Sequence, residues 1–146
     1  MESEEYIKQR IDNQIKWYDK KSSKNKSLFY IFHVLEIFLA LSIPFLNNIT
    51  DDKPLWVFKI ISIISLTIAM ISSILSLSKF QANWIEYRLT SENLKSEKFM
   101  YLTKSDPYNQ KESYRILVQR IEEIILKENS KWSISKDFKS KKSKES

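Results

Sequence analysis

The chain has no cysteine and no glycine, and only one histidine and three prolines in 146 residues. Without cysteine there is no disulfide, no thiolate metal site and no thiol nucleophile. Without glycine, phosphate-cradling loops, nucleophile elbows and dinucleotide fingerprints are disfavoured, because each needs positive φ or close backbone approach. A single histidine, His33, nearly excludes a histidine-based zinc site within one chain. No metal and no cofactor are therefore expected. The carboxylates and lysines of the polar segments fall at spacings typical of solvated faces, and no nucleophile–base arrangement is visible. No catalytic residue is assigned, and the chain is not expected to be an enzyme.

The net charge of +6 and a pI near 9.4 invite a nucleic-acid reading. The charge and the apolar residues are segregated along the chain, however, and the basic residues lie where a membrane would hold them. Nucleic acid is accordingly not an expected partner. Residues 28–46 are nearly unbroken apolar sequence, and residues 55–77 form a longer run with Lys59 its only charge. A membrane span needs about 20 apolar residues. The first run carries thirteen Leu, Ile, Phe or Val side chains against one carboxylate, Glu36. Their summed preference, at roughly −0.3 to −0.6 kcal/mol each, exceeds the cost of about 3 kcal/mol for one central charge. A buried soluble hairpin would be polar along one face of each helix, and most of the second run is not. A cleaved signal peptide, read from Ala40-Leu41-Ser42, would follow a region that is too long and too acidic.

The segment NNITDDKP, residues 47–54, is short enough to join antiparallel neighbours. Pro54 suits the first turn of the second helix, Pro44 can stand near the end of the first, and Asp51 or Asp52 can cap the second. Lys16, Lys20, Lys21, Lys24 and Lys26 precede the first run, and Lys79, Arg88, Lys95 and Lys98 follow the second. The loop between them holds Lys53 alone. The positive-inside rule then places both termini in the cytoplasm.

Three amphipathic stretches flank the apolar runs. Residues 3–22 carry Ile7, Ile11, Ile15 and Tyr18 on one face. Beyond the second run no Gly or Pro interrupts residues 55–102, so one helix of about 50 residues, roughly 75 Å long, is expected. Its seam is Phe80, Trp84, Tyr87, Leu94 and Tyr101, with Ser91 and Lys98 at the intervening heptad positions. Trp84, Tyr87 and Arg88 alternatively sit at the headgroup level. After a break at Pro107, residues 112–129 carry Tyr114, Leu117, Val118, Ile121, Ile124 and Ile125 as a helical stripe. The fold class expected is an all-α membrane protein: a two-transmembrane helical hairpin with a cytoplasmic helical bundle built from the N-terminal helix, the extension of the second span and a C-terminal helix. Residues 1–132 form this single domain. Residues 133–146 read as a basic, disordered tail, attracted to anionic lipid or merely solvated.

Three segments carry a resemblance to a known family. They are RIDNQIKWYDKKSSKNK (residues 10–26, with Trp17 and Tyr18), WIEYRLTSENLKSEKFMY (residues 84–101), and the stretch from Tyr108 to Trp132. The second is similar to a W-x-x-Y-R-x-x-x-E-x-L-x-x-E pattern, met here by Trp84, Tyr87, Arg88, Glu92, Leu94 and Glu97. In this order around two apolar runs they resemble the SLATT family, the SMODS- and SLOG-associating two-transmembrane effector domains of bacteria. The resemblance implies an inner-membrane effector of conflict systems that perforates or depolarises the membrane in response to a nucleotide signal. No sensor domain is fused to this chain, so a trigger is expected from a nucleotide-sensing or effector-activating partner protein, or from a system built on SLATT proteins alone. The resemblance assigns no catalytic role to Arg88, Glu92 or Glu97.

Glu36 sits in the middle of the first run, three residues after His33. If the hairpin closes symmetrically, Glu36 lies level with Ser65, His33 with Ile68 and Lys59 with Ser42. On the second run Ser62, Ser65, Ala69, Ser72 and Ser76 form a small-residue stripe. His33, Glu36 and Ala40 form a matching polar face on the first. In one reading small residues allow close packing and serines hydrogen-bond across the helices. In the other, several hairpins assemble and this face lines a path, where His33 and Glu36 set cation preference and pH sensitivity. The second reading requires a homo-oligomer in the lipid bilayer. Its competitor is a non-conducting membrane scaffold whose cytoplasmic helices dock a partner protein.

Overall fold

The computed structural model describes residues 3–48 and 54–142, with side chains as far as residue 130. The described residues are helical or lie in turns, and no strand occurs among them. Helix α1 is Ser3–Asn48, α2 is Leu55–Leu102 and α3 is Ser113–Lys142. The proposed caps Asp51 and Asp52 lie outside the described residues, as does the end of the basic tail from residue 143. Helix α3 stays helical through Lys142, into the stretch whose composition reads as disordered.

Helix α1 opens with Glu4 and Glu5 in its first turn, where carboxylates complement the helix dipole. Between Ile7 and Ile11 it widens into one π-helical turn. There the Asp12 amide reaches back five residues to the Ile7 carbonyl. The extra residue lets Tyr6 and Ile7 share the buried face with Ile11, Ile15 and Tyr18. The N-terminal stripe and the first apolar run are thus parts of one helix. Pro44 stands inside it, within the last turns, where little of the backbone ladder remains to be lost.

The expectation of one uninterrupted helix over residues 55–102 is corrected at Lys79. This residue is left-handed, with φ 49° and ψ 35°. The Asn83 amide donates to the Lys79 carbonyl at 3.0 Å. The Asn83 side-chain nitrogen donates to the Ser78 carbonyl at 3.3 Å, satisfying an end the break exposes. A left-handed non-glycine residue costs about 1–2 kcal/mol. No sequence signal marks the position, because the residue that usually takes it is absent from this chain. Lysine does the same at the end of α2, where Lys104 has φ 53°. The Ser105 amide reaches the Met100 carbonyl at 3.0 Å and the Lys104 amide reaches that of Tyr101 at 3.1 Å, a Schellman termination without glycine.

The chain divides into two compact units, Ser22–Ile85 and the segments flanking it. The flanking unit holds the buried core. Tyr6, Ile7, Ile11, Ile15 and Tyr18 of α1 meet Tyr87 and Leu94 of α2, and Leu117, Ile121 and Ile125 of α3. Tyr108, from the turn that contains the cis Asp106–Pro107 peptide, closes one side. The three expected stripes therefore share one core. Tyr87, Ser91 and Leu94 of the expected seam are buried.

In the Ser22–Ile85 unit the apolar side chains point outward instead. Phe38 is 70 % and Leu66 67 % exposed, and in the 55–78 segment only Val57 and Ile71 are buried. Both helices contain a stretch long and apolar enough to cross a membrane. Contacts between them pair Lys26 with the Trp84 ring (5.6 Å), Phe32 with Phe80 (6.1 Å, stacked) and Glu36 with Ser72. The partners run in opposite order along the chain.

Candidate functional site

The polar groups within the apolar stretches converge on Glu36. Ser72 Oγ donates to Glu36 Oε1. His33 Nδ1 lies 3.3 Å from Glu36 Oε2, one helical turn back on the same helix. The Phe29 ring stands edge-on to the imidazole with centroids 4.4 Å apart, which fixes the ring plane. The Glu36 side chain is 22 % exposed and that of His33 is 42 %. The carboxylate is thus partly covered, and the imidazole is the more exposed of the two.

This geometry corrects the expected register. Glu36 meets Ser72, not Ser65, a slide of two turns or about 10 Å along the axis. The remaining serines of the stripe act differently. Ser62 Oγ donates to the Phe58 carbonyl and Ser65 Oγ to the Ile61 carbonyl, both at 2.9 Å, within their own helix. Such back-bonding satisfies a hydroxyl in an apolar setting without a partner helix. Ser76 is exposed, one turn beyond Ser72. Of the predicted polar face, the structure gathers His33, Glu36 and Ser72.

The residues flagged outside the apolar stretches are divided between the two units. Trp84, in the Ser22–Ile85 unit, accepts the Ser22 hydroxyl at its backbone carbonyl (2.9 Å). Its indole N–H is buried and has no hydrogen-bond partner. In the flanking unit Tyr18 is buried and donates to Glu128 at 3.0 Å. Trp17 is 45 % exposed and stands edge-on to Tyr18 and Tyr87. Arg88 pairs with Glu92 at 2.8 Å, one turn away on an exposed face. Glu97 accepts hydrogen bonds from Tyr108 and from Arg120, the latter at 3.1 Å. Tyr87 and Tyr108 are core residues, so aromatic packing accounts for them. An open groove of about 430 Å³ is lined by Arg10, Asn13, Gln14, Trp17, Tyr18 and Asn129.

Sequence reasoning missed the charges that lock this unit. Asp19 accepts from Ser91 at 2.7 Å and pairs with Lys95 at 2.9 Å. Burial pushes its carboxyl up, but the Ser91 and Lys95 hydrogen bonds and the positive charge of Lys95 and Arg88 outweigh this and hold it below the ordinary range. Arg10 binds both oxygens of Glu122 at 2.9 Å, and Tyr6 donates to the same carboxylate at 3.0 Å. The Arg10 hydrogen bond holds Glu122 low against the opposing effect of burial. Burial, then the neighbouring carboxylate, pushes the Tyr6, Tyr18 and Tyr108 hydroxyls up. Lys98 reaches Asp12 at 2.6 Å. The available signal was adjacency: Arg10 and Glu122 each sit next to an isoleucine of a core stripe.

These elements define an all-helical protein with two helices of membrane-crossing length and a polar cluster set among their apolar residues. The chain belongs to DUF4231, a family of proteins of unknown function, whose profile matches residues 13–115. That match includes His33, Glu36, Ser72 and the Arg88–Glu97 segment, and ends at the start of α3. No curated protein and no solved structure matches the chain.

Proposed function

We propose that this protein is a SLATT-like effector of the bacterial inner membrane that assembles as a homo-oligomer and permeabilises or depolarises it. In this reading residues 28–46 and 55–77 span the bilayer as a hairpin, both termini are cytoplasmic, and the flanking helices form a cytoplasmic bundle. The outward Ile, Leu and Phe side chains of the Ser22–Ile85 unit support insertion: Phe38 and Leu66 would otherwise face water. The Lys and Arg surplus at both outer ends supports the orientation.

The observation that carries the reading is Glu36 among these apolar residues, bonded to Ser72 and close to His33. A carboxylate at mid-membrane costs about 3 kcal/mol to insert, and such residues face partners or water-filled paths. One hairpin encloses no path, so several copies are required. A nucleotide-sensing or effector-activating protein would act through the cytoplasmic helices to raise a basal conductance that the chain has by itself.

A non-conducting scaffold is the second reading. It is favoured by the in-chain partner that each Glu36 oxygen already has. Membrane potential in cells expressing the protein from an inducible promoter separates the two, with Glu36→Ala at matched membrane level. Rapid depolarisation by wild type and not by the variant is expected. Depolarisation by neither would leave the scaffold.

A further inference from the structure

We infer that the ion carried through the Glu36 site is the proton, passed along Ser72, Glu36 and His33. This rests on the permeabilising reading above and names what passes. A sodium or potassium site built on Glu36 would need its carboxylate oxygens open to the ion. Here Oε1 receives the Ser72 hydroxyl and Oε2 faces His33 Nδ1. The more exposed of the two ionisable groups is the imidazole, which does not attract alkali cations. Its two ring nitrogens let it accept a proton at one and donate a proton from the other. Hydroxyl, carboxyl and imidazole each both accept and donate a proton, and they stand here in one continuous hydrogen-bonded row. Ser62 and Ser65 donate to their own helix and stay outside that row.

The transfer balances with water as the only co-reactant. In the neutral tautomer that donates to Glu36, His33 carries its proton on Nδ1. A hydronium in the path gives a proton to Nε2, so one O–H bond breaks and one N–H bond forms. The Nδ1 proton passes to Glu36 Oε2, which leaves a neutral imidazole and a neutral carboxyl. Rotation about the Cγ–Cδ bond presents that proton to Ser72 Oγ, whose own hydroxyl proton leaves to the next water. One proton enters at His33 and one leaves at Ser72. Glu36 returns to carboxylate, and the starting tautomer is restored when Nε2 releases its proton to water and Nδ1 takes one from water, with no net change in proton count.

The test uses the full chain in vesicles of neutral and anionic phospholipid. Proton entry is read with an entrapped pH dye after an external pH step, with a potassium ionophore shunting the potential. Potassium and sodium permeation are read as diffusion potentials at fixed pH, without the ionophore. Wild type should pass protons and neither alkali cation. Glu36→Gln should lower proton flux by about a hundredfold, the low end of what a positioned proton-transfer group contributes. His33→Gln and Ser72→Ala, which keep the apolar surface, should lower it as well. Potassium or sodium flux matching proton flux would overturn the proton assignment and leave the permeabilising reading standing. Proton flux unchanged in Glu36→Gln would overturn the relay. Absence of every flux would remove both readings.

Discussion

Leu117 gives a sharp test of how α3 is held. It is fully buried, in the cluster that joins α1, α2 and α3. Leu126, nine residues further along the same helix, is 64 % exposed. Truncating Leu117 to alanine removes buried methyl groups and leaves a cavity, at a cost of about 2–5 kcal/mol. Three helical segments border the site, so collapse onto the cavity is restricted and the upper half of that range is expected. Leu126→Ala removes the same atoms from an exposed surface and should stay within about 0.5 kcal/mol. The assay is urea unfolding of the intact protein in mild detergent, followed by Trp17 fluorescence with Trp56, Trp84 and Trp132 replaced by Phe. Trp17 lies 4.9 Å from buried Tyr18 and so reports on this unit. Equal midpoints for the two alanine variants would refute the packing of α3 on that core.

Asp19 predicts a pH dependence in the same unit. Its folded carboxyl is held below the ordinary value, so its stabilising effect is present above about pH 3.9 and is lost as pH falls through the folded value. Asp19→Asn should flatten the acid limb of stability measured between neutral pH and pH 2, and an unchanged limb would contradict the assignment. Glu122→Gln should cost about 1 kcal/mol through the lost Arg10 pair, less at high salt because both side chains are partly exposed. Equal losses in low and high salt would show that the charge is not what matters there. Lys79→Gly should raise stability by about 1 kcal/mol by removing the left-handed penalty, and Lys79→Val should lower it. Thermal melts in detergent giving the reverse order would argue for a continuous α2.

Periodicity alone made the core legible. Ile7, Ile11, Ile15 and Tyr18, and Leu117, Ile121 and Ile125, recur at helical spacing, and hydrophobic burial leaves such stripes little choice of where to face. The same holds for Tyr87 and Leu94. Length and composition made the two apolar helices legible, because being long and apolar enough to cross a membrane is a property of a run of residues and not of their partners. Lys79 escaped because lysine is a good helix former, and only the backbone records that it is left-handed. The charge locks of Asp19 and Glu122 escaped because an ion pair between residues far apart in sequence leaves no periodic trace.

For the candidate site, sequence alone determined that a carboxylate and an imidazole share one face of an apolar helix, since a spacing of three residues is a turn. Which serine they meet was decided by tertiary structure. Helices of this kind slide past one another by whole turns with little change in apolar contact. The choice of Ser72 over Ser65 therefore lies in the packing of the pair and not in any local preference of the chain.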